Sequence, residues 1–131
     1  DRIVLSGLKS ASQIALYLKA SSAFALSSAY EGMPICVLEA LASGLPVVST
    51  DVGEISRVVL PGVNGELVDD HEPKALADAM LSTIRSVDSY RGAPCLDAVE
   101  PFSPQTVLRP IYENYRRLAA LGSPQTAKAV N

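Results

Sequence analysis

The chain has 131 residues, 48% of them hydrophobic and 19% charged, a composition typical of one globular domain with its own core. Its net charge of −3 and the lack of a basic patch argue against nucleic acid as a partner. Two cysteines without metal-ligand spacing predict a reducing, cytoplasmic compartment and no metal site. The longest largely apolar run, residues 33–42, is too short to span a bilayer and contains a glutamate.

The first half of the chain predicts alternating strands and helices. Ile3–Ser6 and Ala23–Leu26 are short apolar runs typical of buried parallel strands, and Gln13–Leu18 between them has helical periodicity. A second helix is predicted from Pro34, a residue favoured at a first helical position, to Gly44. The run Pro46–Thr50 follows as a third strand.

The second half predicts one more strand, two helices and a long loop. Glu66–Val68 is a short last strand, and Pro73–Val87 has the periodicity of a helix. Ser89–Pro101 has no clear periodicity and predicts a loop, whereas Ser103 resembles the N-cap of a last helix. We therefore predict an α/β domain over residues 1–121, a Rossmann-like parallel sheet of about four strands flanked by helices, with a flexible tail over residues 122–131.

The loop Tyr30–Pro34 is predicted at the edge of the sheet where ligands bind. In an open parallel sheet this is the edge beyond the carboxyl ends of the strands, where the helices begin. The amides of Met33, Ile35 and Cys36 would be unpaired donors at the positive end of a helix dipole, whereas Pro34 has no N–H. Such a helix start is suited to a phosphate or a diphosphate.

Two glutamates flank this helix start. Glu31 lies on the loop, and Glu39 lies about one turn into the helix. A carboxylate accepts hydrogen bonds from adjacent hydroxyls and repels phosphate, so each glutamate is expected to face a diol. A diphosphate with a polyol on either side describes a nucleotide sugar, with its ribose at one carboxylate and the transferred sugar at the other.

The same residues resemble a known family. Glu31 and Glu39 separated by seven residues, the continuation LEALASGLPVV, and the turns Asp51–Glu54 and Gly62–Gly65 resemble the donor-binding half of retaining GT-B glycosyltransferases of family 4. The resemblance covers Ile3 to Leu118. It implies a C-terminal GT-B domain truncated at its N-terminal side, without the first two strands and the acceptor domain, so the fragment alone is expected to be inactive.

The resemblance also implies roles for individual residues. Glu31 would be catalytic, contacting the transferred sugar and stabilising positive charge at its anomeric carbon, while Glu39 would hold the ribose. The loop at Gly7 would pass the nucleobase; Lys9 could equally be a solvated loop charge. No cofactor is implied. The implied donor-binding residues are Gly7, Leu8, Lys9, Gly32, Met33, Pro34, Ile35, Cys36 and Glu39.

The implied activity is transfer of a sugar from a nucleotide-diphosphate sugar to an acceptor hydroxyl, with retention, in polysaccharide or glycolipid biosynthesis. The acceptor, a glycan, lipid or small molecule, would bind through the missing domain, which could also hold the protein at the inner face of a membrane. A non-catalytic nucleotide-sugar-binding or assembly subunit that requires a partner chain stays open as an alternative. A pyridine-nucleotide enzyme is disfavoured because no Gly-x-Gly-x-x-Gly follows a strand.

The missing strands would leave the edge of Ala23–Leu26 exposed, without the charge or proline that blocks pairing with another chain. Either Ile3–Ser6 pairs with this edge, or two copies of the chain associate along it. We expect self-association of the isolated chain.

Overall fold

A computed structural model describes residues 3–69 and 72–122 of the chain. Beyond Gly122, the predicted tail lies outside the described residues. The contacts divide the chain into two compact units, Asp1–Val99 and Glu100–Asn131. The predicted sheet and the predicted ligand edge both belong to the first unit.

The first unit contains a parallel sheet of three strands, which confirms the α/β class. The strands are β1 (Phe24–Leu26), β2 (Val47–Thr50) and β3 (Gly65–Val68), in the order β1-β2-β3. Ala25 pairs with Val48, and Val48 pairs with Glu66 on the other side. All four residues of β2 are buried, as expected for a central strand covered on both faces.

The prediction of a strand at Ile3–Ser6 is wrong, and the sheet therefore has three strands where about four were expected. Ile3, Val4 and Leu5 form no regular structure and are 83%, 85% and 95% exposed. A strand needs a neighbour to pair its backbone groups and a layer to cover its side chains. Within the described residues no strand pairs with this segment, so its apolar sequence alone does not make it a strand.

In the described residues of the first unit there are five α-helices, and the prediction of a loop at Ser89–Pro101 is wrong. In that region the chain instead forms two short helices, which bury Tyr90 and Cys95. The Cys95 thiol donates a hydrogen bond to the Tyr90 carbonyl at 3.0 Å, which links the two helices. The helices are α1 (Ala11–Ala20), α2 (Ile35–Ala42), α3 (Pro73–Arg85), α4 (Val87–Tyr90) and α5 (Ala93–Val99), and a 3-10 turn spans Ile55–Arg57.

The core of this unit holds α2 against the sheet. Val37, Ala40 and Leu41 of α2 are fully buried, as are Val47 and Val48 of β2. Full burial of one such Val or Leu side chain contributes about 1.5–3 kcal/mol. This packing fixes the start of α2 near the carboxyl ends of the strands.

As far as Gly122, the second unit contains a 3-10 turn, Glu100–Phe102, and α6 (Pro104–Gly122). The predicted N-cap is present, because the Thr106 amide donates to the Ser103 hydroxyl at 3.1 Å. None of the helices in the described part of the chain is long and apolar enough to cross a membrane.

Candidate functional site

The start of α2 carries unpaired backbone donors. The helix begins at Ile35, with Pro34 in an extended conformation at the N-cap, one position earlier than a first helical residue. The Val37 amide donates to the Pro34 carbonyl at 3.1 Å. Among the described residues, no carbonyl accepts from the amides of Met33, Ile35 or Cys36. These three N–H groups are the donors that the sequence predicted at this helix end.

The carboxylate of Glu31 is oriented by a neighbour in its own loop. The Ser28 hydroxyl donates to Oε1 of Glu31 at 2.7 Å, and both residues are half-buried. The carbonyl of Ser28 in turn accepts a hydrogen bond from the Thr50 hydroxyl at 2.6 Å. Thr50 is the last residue of β2 and is only 3% exposed, so the loop is anchored to the sheet.

The turn after β2 holds the same loop from its other side. The Glu54 amide donates to the Gly32 carbonyl at 2.9 Å. Gly53 has φ +61°, and a Cβ built on it would lie 2.2 Å from the Gly32 carbonyl oxygen and 2.4 Å from that of Glu31. The two backbones therefore approach each other more closely than any side chain at position 53 permits.

The pKa of the Cys36 thiol, in the first turn of α2, is affected by both glutamates. Burial raises the pKa of the Cys36 thiol, an effect partly opposed by the Val37 amide, and the charges of Glu31 and Glu39 raise that pKa further. Both charges thus act on the first turn of α2, and the roles predicted for the two glutamates stay predictions.

Glu39 lies exposed on α2 beside a groove that faces α1. The groove has a volume of about 190 Å³. The remaining residues that line it come from the two helices and the C-cap of α2 and are Ala11, Ile14, Ala15, Leu18, Ala42 and Ser43.

The segment Gly7–Lys9 lies beside a different groove, of about 460 Å³, along α1 and the beginning of β1. Leu8 is fully exposed, and the Lys9 ammonium donates to the carbonyls of Ser6 and Leu8. Within the described residues, no hydrogen bond joins this segment to the loop of Glu31. Its groove shares Ile14 and Leu18 with the groove beside Glu39, and the role of the segment in donor binding stays a prediction.

Sequence reasoning missed two residues of the site, Ser28 and Thr50. The spacing of Ser28 and Glu31, three positions apart in one loop, was a weak signal because such pairs are common in turns. Thr50 contacts a residue 22 positions earlier, and no local pattern encodes that contact. In the described part of the chain, no group of three acidic, histidine or cysteine side chains is placed to hold a metal ion.

Comparison with known proteins found a matching family model and several relatives. Residues 1–86 match the family model described as glycosyl transferases group 1. A D-inositol 3-phosphate glycosyltransferase of Nocardioides sp. is 33% identical over 111 residues, which is 82% of this chain and 24% of that protein. The corresponding protein of Corynebacterium urealyticum is 38% identical over 96 residues, which is 73% of this chain and 21% of that protein.

A solved structure has the same fold. The sucrose-phosphate synthase of Thermosynechococcus elongatus aligns with a TM-score of 0.79 and 26% identity, covering 93% of this chain and 31% of that one. The chain spans about a quarter of the length of the curated relatives it matches.

Proposed function

The chain belongs to the glycosyl transferases of group 1, and on that premise we propose that it is the donor-binding part of an enzyme that uses a nucleotide-diphosphate sugar. The full-length protein would transfer the sugar to an acceptor hydroxyl with retention of anomeric configuration. The observation that carries this proposal is the set of amides at the start of α2 that donate to no carbonyl within the described residues, next to the loop that holds Glu31.

The diphosphate would bind at the first turn of α2. The amides of Met33, Ile35 and Cys36 donate to no carbonyl within the described residues, and the helix dipole adds about half an elementary positive charge. This partial positive charge is small compared with the negative charge of a diphosphate. We therefore expect the 131-residue chain alone to bind the donor weakly and to be inactive.

The two glutamates would take the two polyols of the donor. Glu39 is exposed beside the groove between α1 and α2 and would hold the ribose. Glu31, on the loop, would contact the transferred sugar, where a fixed negative charge stabilises positive charge that develops at the anomeric carbon. No separate nucleophile is assigned. This is compatible with a mechanism in which the nucleotide diphosphate leaves and the acceptor hydroxyl attacks on the same face of the sugar.

The segment Gly7–Lys9 keeps its proposed place at the nucleobase, with backbone groups of Leu8 and Lys9 as partners for the base edge. The acceptor, a glycan, a lipid or a small molecule, would bind outside this chain. Two free cysteines, Cys36 and Cys95, fit a reducing compartment, and a cytoplasmic location, free or at the inner face of a membrane, is part of the proposal.

Calorimetry with the full-length protein tests the proposal. The ligands are UDP, GDP and ADP and their glucose and mannose derivatives. Glu39→Gln should weaken donor affinity by about 1.5–3 kcal/mol, the range for a hydrogen bond to a charged group, whereas Glu31→Gln should also lower turnover. Asp88→Asn, which removes an exposed carboxylate from α4, is the matched control. Wild-type affinity and turnover in both glutamate variants would refute the assignment of the site.

A further inference from the structure

The hydrogen bond between Ser28 and Glu31 fixes one oxygen of the carboxylate. A hydroxyl that donates to an ionised carboxylate makes a charge-assisted hydrogen bond, stronger than one between neutral groups. The distance of 2.7 Å is normal for such a bond. Within the described residues Oε1 has this partner and Oε2 has none, so the second oxygen is left for a ligand.

Ser28 is itself held by the sheet. The buried Thr50 hydroxyl donates to the Ser28 carbonyl at 2.6 Å and so connects the end of β2 to the loop. On the other side of Glu31, the Glu54 amide holds the Gly32 carbonyl. The backbone is thus fixed both before and after Glu31, and the remaining freedom of that residue lies in its side chain.

From these contacts we infer that Ser28 is a positioning residue for Glu31, and that Thr50 fixes Ser28 in turn. This inference rests on the proposed function, in which Glu31 faces the transferred sugar. A glutamate side chain has three rotatable bonds, and restricting them before the donor binds removes an ordering cost from the reaction. Ser28 acts through Glu31 and does not itself contact the donor.

Steady-state kinetics of the full-length protein test this inference with the nucleotide sugar of the panel that supports turnover. Ser28→Ala should lower kcat by about 10- to 100-fold, while the KM for the donor changes by less than about threefold. Ser28→Thr, which keeps the hydroxyl, should restore most of kcat. Ser27→Ala, which removes an exposed neighbouring hydroxyl, is the matched control and should leave the kinetics unchanged.

A double-mutant cycle separates positioning from a structural role of Ser28. In a Glu31→Ala background, adding Ser28→Ala should change kcat by less than about twofold, because the group being positioned is already gone. Thermal unfolding of each variant is measured alongside. If Ser28→Ala lowers kcat in that background as much as it does in the wild-type protein, the inference is overturned. It is also overturned if a lower melting temperature of the Ser28→Ala variant accounts for the lower kcat.

The outcomes also distinguish this inference from the proposed function. If Glu31→Ala loses turnover and Ser28→Ala keeps it, only the positioning role is wrong. If Glu31→Ala keeps wild-type turnover, or the wild-type protein turns over no donor of the panel, the proposed function is wrong and the inference falls with it.

Discussion

Replacing Gly53 by alanine should disturb the loop of Glu31 while leaving the Glu31 side chain itself unaltered. The new Cβ would lie 2.2 Å from the Gly32 carbonyl oxygen, and real Cβ contacts are not found below 3.0 Å. Both nearest neighbours are backbone oxygens, which cannot rotate away as the end of a side chain can. The loop from Glu31 to Gly32 must therefore retreat from the turn after β2.

The size of the effect follows from two losses. An L-residue in the left-handed region, here at φ +61°, costs about 1–2 kcal/mol relative to glycine. Retreat of the loop also breaks the hydrogen bond from the Glu54 amide to the Gly32 carbonyl, which contributes about 0.5–1.5 kcal/mol. We expect Gly53→Ala to lower the free energy of unfolding by about 1.5–3.5 kcal/mol.

Gly62 supplies a matched control within the same chain. It has φ +75°, but a Cβ built on it would meet no atom within 4 Å. Gly62→Ala should therefore lower the free energy of unfolding only by the conformational cost of the left-handed region. Urea unfolding of the 131-residue chain measures both variants, and calorimetry on the full-length protein measures their donor affinity. Gly53→Ala should be the less stable variant and should alone lose affinity. Equal stability and equal affinity in the two variants would refute the reasoning.

Three further predictions concern the site, the sheet edge and a buried thiol. Gly32→Ala should leave stability unchanged, since its Cβ would meet no atom within 4 Å, yet weaken donor binding in calorimetry by obstructing the amides of α2; unchanged affinity would contradict this. The strand β1 pairs on one side only within the described residues, so sedimentation over an approximately hundredfold concentration range should detect self-association of the chain, and a monomer throughout would count against it. Burial raises the pKa of the Cys95 thiol from 9.0 to about 11, so the unfolded chain releases this proton first and stability should fall as the pH rises through that range. Cys95→Ala should flatten the fall in urea titrations, and an equally steep fall in that variant would exclude Cys95 as its cause.

The sequence by itself determined the elements whose boundaries are chemical. Pro34 and Gly44 delimit α2 to within a residue or two, because proline suits a helix start and glycine takes the positive φ of a helix end, here +72°. The strands β1 and β2 follow from continuous apolar runs, and Ser103 caps the last helix as its hydroxyl predicts. The spacing of Glu31 and Glu39 likewise predicts two carboxylates at one helix start, because that geometry is local.

Only the tertiary structure decided which apolar segments find a partner. Ile3–Ser6 has the same apolar character as β1, but a strand exists only where another strand satisfies its amides and carbonyls. The helices α4 and α5, which lack a clear periodicity, are stabilised where Tyr90 and Cys95 become buried. The orientation of the Glu31 loop depends on Thr50, which lies 22 residues beyond Ser28 in the chain and is brought beside it when β1 and β2 pair. Contacts of this kind arise from packing between distant segments, and local sequence patterns therefore do not encode them.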